Sequence, residues 1–201
     1  MKGNQTERPL NMAIFLETLS GSSLLEDYQS TRQQALQFYA GDWKKLQSYR
    51  DIASKIDVRF DETARQRAFE TFDVPKSFSG KRRDSWVNGN GLVVSTGQQP
   101  GLFGGPLYTL YKALSAIQLA NKLEKELDRI VIPVFWVASE DHDWEEVNHT
   151  YFINRDDEVV RTALDNEDHR GQAIHKIPMS NEISETIDQV SQSIGETEFK
   201  N

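Results

Sequence analysis

The stretch from Gly91 to Ala138 constrains this chain more than any other. Gly91-Leu92-Val93-Val94-Ser95-Thr96 is a short β-branched run of the kind that forms a buried strand. It leads straight into Gly97-Gln98-Gln99-Pro100-Gly101-Leu102-Phe103-Gly104-Gly105-Pro106. Six of the twelve glycines (Gly89, Gly91, Gly97, Gly101, Gly104, Gly105) fall within seventeen residues here. Pro106 suits a first helical turn, where its missing N–H is not needed and its φ is already set. From Leu107 the apolar positions Leu110, Tyr111, Leu114 and Ile117 recur at helical spacing, with Leu119, Leu123 and Leu127 widening the stripe. That helix is expected to end near Asp128. Ile130 to Ala138 is then an almost unbroken apolar run, expected as a strand covered on both faces. Pro133 places the start of that strand off-centre in a sheet, or at a bulge. Strand, glycine loop, helix and strand make a βαβ unit, whose crossover is expected to be right-handed.

The residues before this unit read as helical. Ser23 to Tyr39 carries Leu24, Leu25, Tyr28, Ala35, Leu36 and Tyr39, with a break around Ser30. Asp42 is placed to cap a helix with the stripe Trp43, Leu46, Tyr49, Ala53 and Ile56. Asp61 starts another, with Ala64, Ala68, Phe69 and Phe72 on one side and Val74-Pro75 at its end. Lys81-Arg82-Arg83 reads as a solvated basic linker rather than an anion site. No acid–base or metal grouping occurs in this third, which reads as scaffold. Beyond the unit, Tyr151–Asn154 and Val159–Leu164 suggest a hairpin, Ala173–Ile177 an extended piece leading away from the core, and Ile183, Ile187, Val190 and Ile194 a helical stripe.

Charge divides the chain at the same place as glycine content. The 201 residues carry 23 Lys+Arg and 31 Asp+Glu, a net −8, of which residues 1–90 contribute +2 and the rest −10. The expected organisation is a helical segment over 1–90 packing on the core, a βαβ core over 91–150, and a hairpin with the start of a further segment over 151–201. A net-acidic chain is a poor nonspecific binder of nucleic acid. Its longest apolar runs, such as Met12–Leu16 and Val131–Ala138, fall well short of the roughly 20 residues of a membrane span. No signal-peptide pattern is evident, and the absence of cysteine excludes disulfides and thiolate metal sites and fits a reducing, cytoplasmic setting.

In a βαβ unit the loop after each strand emerges at the carboxyl edge of the sheet, where open α/β sheets bind ligands. Glycines permit close backbone approach, and a helix start presents N–H groups with partial positive charge. A phosphate or carboxylate at Gly104-Gly105 is therefore physically reasonable, although the Gly-x3-Gly-x2-Gly-Gly spacing matches neither the dinucleotide fingerprint nor the P-loop. A ligand loop and a tight packing turn both remain open. Lys112 either reaches back to an anion or snorkels at the surface. Tyr108 divides the same way, whereas Tyr111 is expected in the core. The second strand ends in Ser139-Glu140-Asp141-His142-Asp143-Trp144-Glu145-Glu146-Val147-Asn148-His149, facing the same crevice. Its carboxylates and imidazoles suit a general base, an ammonium site or divalent-metal ligands. A helix beginning near Asp143 would put Glu145 and His149 on one face. The bland alternative is a solvated acidic turn with Asp141 or Asp143 as helix cap.

These two blocks, Ser95 to Lys112 and Pro133 to Asp143, resemble the cysteine-adding ligase family of bacillithiol biosynthesis in composition, order and separation. Leu36-Gln37-Phe38-Tyr39 is similar more loosely. The resemblance implies an α/β fold: a helical amino-terminal segment, a partial Rossmann-like core of nucleotidyltransferase type, and a β-hairpin. It implies an enzyme that joins cysteine to glucosaminyl-malate through an amide bond, with ATP or another nucleotide as activator by analogy with related synthetases. The catalytic candidates are Asp141, His142, Asp143 and Lys112. The substrate- or nucleotide-binding candidates are Thr96, Gly97, Gln98, Gln99, Gly101, Gly104, Gly105, Tyr108, Ser139, Glu140 and Asn148, and no metal ligand is assigned. The resemblance implies a much longer protein with a carboxyl-terminal coiled coil through which a homodimer could form, so the chain reads as a partial form. Neither nucleic acid nor membrane is expected as a partner. Two other classes compete: a metal-dependent hydrolase using the 140–149 cluster, and a noncatalytic ligand-binding fragment.

Overall fold

The computed structural model describes residues 23–75, 78, 80–164 and 171–196. The Met12–Leu16 run lies outside them. The chain divides into two compact units, Met1–Ile56 and Asp57–Asn201.

In the first unit, α1 (Ser23–Gln29) and α2 (Gln33–Leu36) are separated by Thr31, whose positive φ of 54° breaks the helix where the apolar spacing falters. Tyr28 packs its ring 4.2 Å from that of Tyr39 and 6.4 Å from that of Trp43. The third helix, α3 (Leu46–Arg59), begins later than the Asp42 cap implies. Asp42 instead accepts a hydrogen bond from Lys44 N at 3.0 Å, closing a local turn ahead of the helix. Short-range satisfaction of the carboxylate competes with capping at this kind of residue.

The last turn of α3 falls in the second unit, where Asp57 receives two guanidiniums. Arg65, from α4 (Glu62–Glu70), donates to Asp57 at 3.2 Å and to Gly91 O at 3.2 Å. Arg129 donates to both Asp57 oxygens at 2.7 and 3.0 Å and also to Asn90 O. The α4 helix starts where the sequence places it, with Asp61 accepting from Ala64 N at 2.8 Å. The basic run Lys81-Arg82-Arg83 is not a linker. It forms the first turn of α5 (Lys81–Asn88), and Arg82 makes a fork-to-fork pair with Glu124 at 2.9 and 2.7 Å. The run stays largely exposed, as its charge density suggests, but it is helix rather than linker, and Arg82 has a partner 42 residues away.

The core of this unit forms from Phe69, Trp86, Val87 and Ile132, with Phe72, Val74, Phe78 and Val134 packed around them. Trp86 Nε1 donates to Leu92 O at 2.9 Å, so its burial leaves no orphaned donor. Gly91 is required beneath the indole, since a Cβ there would lie 2.1 Å from Trp86 Cδ1.

Strands β1 (Leu92–Gln98) and β2 (Val131–Val137) pair in parallel, Leu92 opposite Val131 through Gln98 opposite Val137. Helix α6 (Leu107–Leu127) connects them and packs on both, ending at Asp128 in a left-handed conformation with φ 50°. Its buried positions are Ala116, Ala120 and Leu123. The stripe Leu110, Tyr111, Leu114 and Ile117 is exposed on the other side, and Tyr111, expected in the core, is 61% exposed. Small alanines let the helix approach the sheet closely while contributing a weak hydrophobic signal, so the bulkier face dominated the pattern. Likewise β2 is buried at Val131 and Ile132, but Phe135, Trp136 and Val137 are exposed.

Beyond β2, α7 is a single turn (Trp144–Val147), followed by the antiparallel hairpin β3 (His149–Ile153) and β4 (Val159–Ala163). Because His149 opens a strand, it does not share a helix face with Glu145. Ala173–Ile177 does not lead away: its short 3-10 turn, Ile174–Lys176, hydrogen-bonds back to the loop after β2. Helix α8 (Glu182–Ser193) follows, with Thr186 buried and Ile187 exposed. No helix among the described residues is long and apolar enough to cross a membrane.

Candidate functional site

The parallel register ends both strands level, Gln98 opposite Val137, and the loops that follow meet. Ala138 N donates to Gln98 O at 3.0 Å, extending the pairing into the loop. The first loop then turns sharply. Phe103, Gly104 and Gly105 have successive φ values of 51°, 89° and 73°, and the turn is closed by Gly104 N to Gly101 O at 2.9 Å and Gly105 N to Leu102 O at 3.0 Å. Gly101 is needed because a Cβ there would sit 2.6 Å from Gly105 Cα, and Gly97 because a Cβ would sit 2.6 Å from Trp136 O. At those two positions the glycine serves the protein's own packing. Gly104 differs: nothing lies within 4 Å of where its Cβ would be.

Side chains from both loops form one hydrogen-bonded ladder. Lys112, from the second turn of α6, donates to Gly97 O at 3.2 Å and to Gln98 Oε1 at 2.8 Å, with its ammonium 5.3 Å from the Tyr108 ring centre. Gln98 Nε2 donates to Gln99 Oε1 at 2.6 Å and to the Tyr108 hydroxyl at 3.1 Å. Gln99 Nε2 donates in turn to Asp141 Oδ2 and Glu146 Oε2, both at 3.0 Å. The other Asp141 oxygen accepts from His142 N at 2.7 Å and Asp143 N at 3.3 Å. These donors, the His142 N–H first and the Gln99 amide next, hold the Asp141 carboxyl below its usual range.

The remaining candidates take different places. Asp143 caps α7, accepting from Glu146 N at 3.2 Å. His142 is exposed beside Asp141, and Glu140 is exposed as well. Thr96 lies in β1 opposite Phe135, away from the ladder's bonds. Asn148 is buried, donating to Leu164 O at 3.2 Å and contacting His149 Nδ1 at 3.1 Å, so its side chain is committed to the hairpin. Ser139 contributes its carbonyl, which accepts from His175 N at 3.1 Å and from His175 Nδ1 at 3.0 Å.

Glu146 and His175 were not singled out from the sequence. Glu146 had a local signal: Asp143-x-x-Glu146 is the spacing of a reciprocal helix cap, which fixes Glu146 on the first turn of α7. His175 had none, since its contact with Ser139 spans 36 residues.

Two further features border the ladder. Thr109 Oγ1, in the first turn of α6, is the one buried side-chain oxygen or nitrogen among the described residues without a hydrogen-bond partner. A largely apolar cavity of about 330 Å³ opens between Gly101–Phe103, Trp144–Asn148 and Ile174–Ile183. Among the described residues no group of three or more His, Asp and Glu converges as a metal ion would require.

A family model described as the N-terminal Rossmann-like domain of the bacillithiol biosynthesis protein BshC matches residues 12–201. Among relatives named "Putative cysteine ligase BshC", that of Heliobacterium modesticaldum is 42% identical over 111 residues, covering 55% of this chain and 20% of the relative. That of Staphylococcus epidermidis is 34% identical over 73% of this chain and 27% of its own length. That of Lysinibacillus sphaericus is 33% identical over 89% of this chain and 34% of its own. The chain thus spans between a fifth and a third of these relatives. It belongs to the BshC family, and within it to the N-terminal Rossmann-like domain.

Proposed function

We propose that this BshC-family chain carries the reaction site of a ligase that joins cysteine to glucosaminyl-malate in bacillithiol biosynthesis. One observation carries the reading. A single ladder runs from a lysine at the start of α6 to two carboxylates at the start of α7, across the carboxyl edge of a parallel strand pair.

Amide formation requires an activated carboxyl group and an unprotonated amine. The cysteine carboxylate is activated by ATP or another nucleotide as an acyl-adenylate or acyl-phosphate. The glucosamine amine attacks the acyl carbon, a C–N bond forms, the bond from that carbon to the phosphate oxygen breaks, and the amine releases a proton. Both acceptors of Lys112 are neutral, so its positive charge remains available to an anionic group held at Gly104-Gly105 and the start of α6. The open space at Gly104, and the unpartnered Thr109 hydroxyl 3.7 Å from where a Cβ on Gly105 would be, support that placement.

The carboxylates have the complementary task. The Gln99 amide nitrogen stands 3.0 Å from one oxygen of each and so holds the two carboxylates together, where both can face a substrate ammonium beside it. With its carboxyl held low, Asp141 is a weak base and a good counter-ion, so it orients the ammonium. Proton removal then falls to the exposed His142 imidazole beside it.

The test is product formation from cysteine, glucosaminyl-malate and nucleotide, read by mass spectrometry. Lys112→Met and Asp141→Asn are each expected to lower the rate about 100-fold, the scale of losing one preorganised charge. No product with any nucleotide, or full activity in both variants, would refute the assignment.

A further inference from the structure

The loop that presents Asp141 is fastened from outside by a segment that follows it by more than thirty residues. Ile174 N donates to Asp141 O at 2.8 Å. His175 binds the Ser139 carbonyl twice, through its backbone N–H at 3.1 Å and through ring Nδ1 at 3.0 Å. Three hydrogen bonds therefore pin residues 139–141 to one turn. Two of them are backbone donors that any residue could supply at those positions. The third depends on the side chain. A ring nitrogen 3.0 Å from a carbonyl oxygen must carry the proton, so Nδ1–H donates and the ring orientation is set by the loop it holds.

We infer that His175 is a positioning residue of the site, acting through Ser139 to keep the Asp141 carboxylate against Gln99. The connection is short: Ser139 and Asp141 flank Glu140, and the other end of the Asp141 side chain meets the Gln99 amide. The Glu140 carboxylate also approaches Nδ1, at 3.8 Å, but with its side chain 85% exposed it adds little beside the carbonyl. Rotating the loop by even an ångström would separate Asp141 from Gln99, and displacements of that size cost about 100-fold when they misplace a reacting group. His175 itself touches neither carboxylate oxygen of Asp141, so its influence runs through the backbone.

The inference rests on the ligase reading for its kinetic consequence but not for its structural one, so two readouts separate them. The variants are His175→Asn, whose side-chain amide nitrogen stands where Nδ1 stood, and His175→Gln, which places its amide one bond further out. In the full chain, the Gln99 side-chain NH2 resonances report the Asp141 contact directly. They are expected to be unchanged in His175→Asn and shifted toward solvent-exposed values in His175→Gln. Ligation turnover is expected to fall at least about tenfold in His175→Gln with little change in KM, and to recover in His175→Asn. If the wild-type chain forms no amide product, the ligase reading fails and the NH2 resonances alone decide the role of His175. Unchanged Gln99 signals in His175→Gln would overturn the inference, as would equal losses in both variants accompanied by the same fall in melting temperature.

Discussion

Gly97→Ala offers a direct measure of how closely the two strands that lead into the candidate site are drawn together. The added Cβ would lie 2.6 Å from Trp136 O and 3.0 Å from Trp136 Cβ. The nearer atom is backbone, so no rotamer change relieves the clash. Separating Cβ and oxygen to an ordinary contact near 3.4 Å requires β1 and β2 to move apart by most of an ångström at this point. Overpacking of this kind costs about 1–3 kcal/mol. For a protein of this size each kcal/mol lowers the melting temperature by roughly 2–4 °C, so a fall of several degrees is expected. The disturbance is not confined to stability, because Lys112 is anchored on Gly97 O and the ladder begins there. Thermal denaturation followed by circular dichroism, with the side-chain amide signals of Gln98 and Gln99 recorded in parallel, measures both effects. A Gly97→Ala chain with unchanged melting temperature and unchanged amide signals would refute the argument that this glycine is there for close strand approach.

Other perturbations have equally definite outcomes. Asp57→Ala leaves the guanidiniums of Arg65 and Arg129 without their shared carboxylate, and Arg65 is 4% exposed. The expected loss is about 2–3 kcal/mol by urea denaturation, less than for a fully enclosed pair because Asp57 keeps some access to water. Glu124 is held below the usual carboxylate range by the Arg82 fork and then by Val131 N–H. Its contribution is therefore complete above the unfolded value near pH 4.3 and disappears as pH falls through the lower folded value. Glu124→Gln is expected to flatten that acid limb of the stability profile. The effect is at most about 1 kcal/mol, since Arg82 is partly exposed, and an unaltered limb would contradict it. Gln99→Leu removes the donor shared by Asp141 and Glu146, so titration of Asp141 followed by NMR is expected to show its pKa rising. An unchanged value would dissociate Gln99 from the carboxylates.

The sequence was most informative where the residues satisfy local rules. The β-branched run before Gly97, the left-handed stop at Asp128 and the cap at Asp61 each follow from backbone preference within a few residues, and each element stands where the pattern put it. Burial was less legible. The α6 helix has two apolar faces, and the one that meets the sheet is built on Ala116 and Ala120, whose small side chains weigh little beside Leu110, Tyr111 and Leu114 on the other. Least legible were contacts between distant segments. Arg82 with Glu124 and His175 with Ser139 leave no trace in spacing, because nothing nearby in the chain depends on them. The meeting of the two loops was readable for a topological reason: parallel strands joined by one helix must deliver their carboxyl ends to the same side. Which side chains close the gap was less legible: the cap spacing at Asp143 places Glu146 on a helical turn, but not its contact with Gln99, 47 residues away.

The level finish of the strands at Gln98 and Val137 makes this fold sensitive to length rather than only to chemistry. Inserting one residue into β1 would advance its loop by about 3.3 Å and turn every later side chain to the opposite face. Gln98 would then point where Gln99 points now, away from Lys112. A conservative replacement along these strands alters one rung, whereas a single-codon insertion or deletion unhooks the whole ladder. Tolerance to indels should therefore drop to its minimum across residues 92–98 and 131–137, even where point changes are accepted.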